Sequence, residues 1–144
     1  MKFWLFIGIP DHIEQGFRRK RWALKDRDIA NISVNDYVVF YVTDYSKVVG
    51  FARIADIYYQ NPAVPDLEWK KEIKGGKVIW PWRIIFSSIL GLSRDKWEDL
   101  GISLPMHIQE QVRRGQTSVI ELKLGDYKKL LQQAEESWGV IIRI

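Results

Sequence analysis

Residues 37–58 read YVVFYVTDYSKVVGFARIADIY, and this stretch decides the fold. Two runs, Tyr37 to Thr43 and Val48 to Tyr58, are crowded with Val, Ile, Tyr and Phe, which suit a pleated, half-buried surface. Asp44-Tyr45-Ser46-Lys47 lies between them, so the pattern predicts a hairpin with a four-residue connection. Just upstream, Ser33-Val34-Asn35-Asp36 reads as a turn, because Asn and Asp tolerate left-handed backbone.

Working outward, Phe3 to Ile9 is a short, fully apolar run of the kind that becomes a central strand. Pro10 suits a first helical position, and Pro10 to Phe17 is read as a short helix. Downstream, Asn61 to Lys77 holds two prolines, the pair Gly75-Gly76 and scattered charge, which predicts a long loop. Val78 to Ser88 is read as a strand whose Pro81 marks an edge, a bulge or a bend. Ser93 is expected to start a helix through a capping box, with Trp97 and Leu100 on one face. Gly125-Asp126 opens a last helix, in which Tyr127, Leu130, Leu131 and Ala134 form a stripe that ends at Gly139. With no internal repeat, low-complexity tract or linker, residues 1–144 are expected to form one α+β domain, mostly β.

The chain has 144 residues, 47% hydrophobic and 28% charged, a balance that excludes disorder. The absence of cysteine excludes disulfides, thiolate metal ligands and a thiol nucleophile. Val78 to Leu92 is the most apolar stretch, but it contains Arg83 and is shorter than the roughly 18–20 residues of a spanning helix. Lys2 followed by Phe3 to Ile9 has the charge and apolar run of a signal peptide but no small-residue cleavage site, so a cytoplasmic protein is expected.

Catalytic signatures are missing. His12 and His107 are far apart, without companions at metal-ligand spacing, and no metal or other cofactor is expected. Neither a Walker lysine motif, a dinucleotide glycine fingerprint nor a nucleophile elbow is present. Lys74-Gly75-Gly76-Lys77 reads as a loop tip in preference to a phosphate cradle, and Glu135-Glu136 as a solvated helix face.

The unusual number is seven tryptophans, beside six Tyr and six Phe. Twenty-two basic against 18 acidic residues leave a net charge of +4, a weak attraction to anions. Arg18, Arg19, Lys20, Arg21, Lys25 and Arg27 crowd into ten positions around Trp22. Cations for phosphates beside a flat ring for an unstacked base are what a nucleic-acid site needs, while a solvated basic face with Trp22 in the core is the alternative. Arg113-Arg114 before Gly115-Gln116, and Lys70, Lys71, Lys74 and Lys77 after Trp69, form two further basic groups. Trp80 and Trp82 are two apart and would share a face on a regular strand, as core, as barrel wall or as part of a pocket. Trp97 and Trp138 read as packing residues.

The order of motifs resembles the EVE domain, a PUA-like family of small prokaryotic proteins and a sibling of the YTH domain, which reads N6-methyladenine in RNA. The resemblance rests on Phe3-Trp4-Leu5-Phe6, Trp22 after a basic turn, Asn35 to Tyr41, Val48 to Ile54, and Trp80-Pro81-Trp82-Arg83-Ile84. It implies a small, mostly β pseudo-barrel flanked by helices that binds a modified base in RNA or DNA without catalysis. Trp22 is then the first ring of the pocket, open on one face at its mouth, and Trp69 its partner, with Tyr41, Trp80 and Trp82 as alternatives for the opposite wall. Arg113, Arg114 and Gln116 match a loop that contacts the nucleic-acid backbone, and Arg18, Arg19, Lys20 and Arg21 extend the basic rim. An enzyme or small-ligand sensor on the same fold, or a protein-interaction domain, is the competing reading.

Overall fold

In the computed structural model, which describes residues 1–60, 67–69, 72–115 and 118–144, the chain runs through eight strands and four helices. Strand β1 (Phe3–Gly8) leads into α1 (Pro10–Arg19), then β2 (Arg21–Leu24), β3 (Tyr37–Val42) and β4 (Lys47–Tyr59). A small hairpin, β5 (Ile73–Lys74) and β6 (Lys77–Val78), precedes β7 (Trp82–Gly91). A 3-10 turn at Arg94–Lys96, α2 (Trp97–Leu100), α3 (Met106–Arg114), β8 (Val119–Leu122) and α4 (Leu124–Trp138) complete the order.

Six strands form one sheet in the order β2-β7-β4-β3-β1-β8, a half-barrel. All pairings are antiparallel except β1 with β3, which run parallel. A parallel pair needs a crossover, and α1 with β2 supplies it. Register shifts at Phe40/Tyr41 in β3 and around Ile54 in β4 bend the sheet.

Both faces of the sheet are covered, which is why β1 and β3 read as continuous apolar runs and not as alternating ones. Phe6, Phe40, Val42 and Ala52 point to the face covered by α1, where Ile13, Trp22, Ile84 and Phe86 join them. Leu5, Val39, Tyr41 and Phe51 point to the other face and pack with Ile108, Tyr127 and Leu130 of α3 and α4.

The turn before β3 forms as its composition predicts. Asn35 has φ 75° in the left-handed region, and buried Asp36 accepts N–H groups from Lys2, Ser33 and the Trp4 indole, each at 2.9 Å. Asp36→Ala strands three donors and is expected to cost about 2 kcal/mol; urea denaturation checks it, and a loss below about 0.5 kcal/mol contradicts this role.

Three readings change. Ser93 makes no side-chain cap bond, and a 3-10 turn followed by the single turn α2 replaces the expected helix. The strand expected from Val78 begins at Trp82, because Pro81 cannot donate to a ladder. The basic stretch around Trp22 is a short edge strand, β2, not an irregular turn. Part of the predicted long loop, 61–66 with Lys70 and Lys71, lies outside the described residues.

Candidate functional site

At the end of β1 a cleft opens between α1, β2 and the segment before β7, with about 360 Å³ of empty space counting its mouth. Trp22 and Ala23 of β2, Ile7 and Gly8 of β1, and His12 of α1 line it. Trp69, Trp80 and Ser118 complete the lining. Three of the seven tryptophans therefore converge on one space.

Trp22 lies at the floor, 5% exposed. Its ring stacks on Phe6 at 6.3 Å and meets Phe40 and Trp69 edge-on at 5.5 and 6.2 Å. Two glycines make room for it: a Cβ on Gly8 would stand 2.6 Å from its Cη2, and one on Gly16 2.9 Å from its Cε3. Trp22 thus borders the cleft from within the core, in place of the open ring at the mouth implied by the resemblance. Alternation along β2 is the reason, since Trp22 and Leu24 are buried while Arg21 and Ala23 stay half-buried.

Trp69 is held from several sides. Its indole N–H donates to the carbonyl of His12 at 3.3 Å, and its backbone N–H donates to Glu72 Oε2 at 2.8 Å. Gln15 of α1 donates to the carbonyl of neighbouring Glu68 at 3.2 Å. Trp80 meets the His12 ring edge-on at 5.2 Å.

Beneath these rings sits Arg83, fully buried on β7. Its guanidinium contacts Glu72 Oε1 at 2.5 Å and Glu68 Oε1 at 3.3 Å. It also donates to the carbonyl of Trp80 at 2.7 Å and lies 5.2 Å from the centre of the Trp69 ring. Arg21 adds a second cation 3.6 Å from Glu68. A buried charge is tolerated only when paired and hydrogen-bonded. The one Arg inside the apolar run 78–92 therefore ties the segment carrying Trp69 and Trp80 to the sheet.

The other aromatic candidates lie elsewhere. Tyr41 packs on the opposite face of the sheet, in the layer of α3 and α4. Trp82 turns away from the cleft, donating to Asp26 Oδ1 at 2.7 Å and meeting Tyr59 edge-on at 5.2 Å. Trp80 and Trp82 do not share a face, because β7 begins only at Trp82. Sequence reasoning missed Gly8, His12 and Ser118 as lining residues; no spacing marks them, since the folded sheet end alone assembles them. Arg83 did carry a signal, as a single charge within an apolar run.

Arg18, Arg19 and Lys20 are exposed at the C-terminal end of α1, where cations also favour the helix dipole. Arg18 bonds Gln15 Oε1, and Arg21 donates to Tyr58 Oη at 3.3 Å. Arg113 and Arg114 end α3 and both pair with Glu110, at 3.4 and 3.3 Å. Gln116 lies outside the described residues. Among the described residues no helix is long and apolar enough to cross a membrane, and no three His, Asp or Glu gather at metal-binding distance.

Neither a protein-family model nor a curated protein matches the chain. Solved structures do. The ASCH protein from Zymomonas mobilis aligns with a TM-score of 0.63 at 14% identity, over 91% of this chain and 94% of that one. The Mmi1 YTH domain aligns with 0.62 at 13%, over 96% and 92%. A hypothetical protein from Leishmania major aligns with 0.58 at 18%, over 96% and 97%. At these identities the likeness is one of fold, and the fold is the PUA-like one shared by ASCH and YTH domains.

Proposed function

We propose that this chain is a non-catalytic module of the EVE type that binds a modified, methylated nucleobase in RNA or DNA. The observation that carries this reading is the convergence of Trp22, Trp69 and Trp80 on one open cleft. Extruding a base from its stack costs a few kcal/mol, and stacking on an aromatic side chain returns about 1–3 kcal/mol per base. A methyl group buried between rings adds roughly 0.8 kcal/mol. His12 and Ser118, the polar side chains of the lining, supply hydrogen-bonding groups for a base edge. Arg18, Arg19 and Lys20 supply the salt-dependent attraction to phosphates, which carries no base information.

The test is binding of methylated and unmodified oligonucleotides at several salt concentrations, with wild type and Trp80→Ala. Trp80 is half-buried at the cleft, so its removal should cost the modified base about 1–3 kcal/mol of affinity with little change in melting. Failure to bind any oligonucleotide sinks the proposal, and turnover of the base replaces it with an enzyme.

A further inference from the structure

A second, larger cleft, with about 970 Å³ of empty space counting its mouth, lies at the same end of the sheet, on its other face, between the β3–β4 hairpin and α3. We infer that it receives the sugar–phosphate of the nucleotide next to the stacked base, an inference that rests on the aromatic-cleft reading above.

The two clefts adjoin through paired backbone. Ile7 and Gly8 line the first. Tyr41, the register partner of Ile7, and Thr43, whose N–H donates to the Gly8 carbonyl at 3.0 Å, line the second. One strand spacing, about 4.8 Å, separates these two rows, so a strand with its base in the first cleft continues over the sheet end into the second.

The chemistry of the second cleft is that of a sugar–phosphate site. Lys47 and Arg113 are its cations, and no acidic side chain is in its lining. Lys47 makes no ion pair among the described residues, while Arg113 has an exposed pair with Glu110 at 3.4 Å, the kind of bond a phosphate displaces at little cost. Hydroxyls come from Tyr41, Thr43, Tyr45, Ser46 and Ser103. Tyr41 is only 7% exposed, yet neither its hydroxyl nor that of Ser103 has a hydrogen-bond partner among the described residues. The Tyr41 hydroxyl opens into this cleft, where it is available to a ligand oxygen.

The experiment compares modified nucleosides, which lack phosphate, with trinucleotides carrying the same base centrally, in ribose and deoxyribose forms. N6-methyladenosine and 5-methylcytidine are the probes, with adenosine and cytidine as controls. Trinucleotides should bind roughly tenfold or more tighter than nucleosides, the effect of a charge-assisted hydrogen bond. Lys47→Gln with Arg113→Gln should remove most of that gain and leave nucleoside affinity unchanged; Tyr41→Phe should lower it in the same direction. A larger gain for ribose assigns a contact to the 2′-hydroxyl, and equal gains assign recognition to the phosphate. A gain that survives the double substitution overturns this inference alone. Absence of binding by nucleosides and trinucleotides alike overturns the aromatic-cleft reading, and this inference with it.

Discussion

Trp22→Ala is expected to lower stability by about 3–5 kcal/mol, the cost of an aromatic cavity in a packed core, and to abolish base binding together with the fold's rigidity. The ring is 5% exposed, stacked on Phe6 and edge-on to Phe40. Gly8 and Gly16 already give up their side chains to it, so neighbouring atoms cannot collapse far into the space. Thermal and urea unfolding measure the loss. Trp22→Phe, which keeps a ring in place, should recover more than half of the stability. If Trp22→Ala melts within a few degrees of wild type, the ring is not the core element described here. Because one residue serves both core and cleft, Trp80→Ala and not Trp22→Ala separates binding from folding.

Arg83→Met is expected to cost about 3–5 kcal/mol, because it leaves buried Glu72 without its guanidinium and Glu68 with the more distant Arg21. Both carboxylate side chains are 2% exposed or less. The expected sign of the coupling is distinctive: adding Glu72→Gln to Arg83→Met should recover part of the loss, since a neutral amide replaces an unpaired charge. Urea denaturation of the two single variants and the double variant completes the cycle. Strict additivity would contradict the pairing. Arg83→Met should also weaken the proposed base binding, since Arg83 holds the carbonyl of Trp80 and sits beside the Trp69 ring.

The hairpin of β3 and β4 was legible because strand chemistry and turn chemistry agree along residues 33–58. The stripe of α4 was legible for the same reason, a sustained period with a glycine stop at Gly139, whose φ is 67°. Short elements were not. β2, β8 and α3 have four, four and nine residues, too few for periodicity to stand out from composition, and each is stabilised by the sheet or layer it joins.

The sequence by itself determined an α+β, mostly β fold, the concentration of tryptophan and basic residues, and the absence of thiol chemistry. It also marked Arg83 as an odd charge in an apolar run. Only the tertiary structure decided which rings meet. Trp22 is far in sequence from Trp69 and Trp80, and the three are joined by the pairing of β2 with β7 and the buried charges under β7. Tyr41 and Trp82, equally aromatic, are sent elsewhere by strand parity and by where Pro81 lets β7 begin. Residue type is a local property, whereas convergence on a cleft depends on register and sheet order, which one strand's own sequence does not contain.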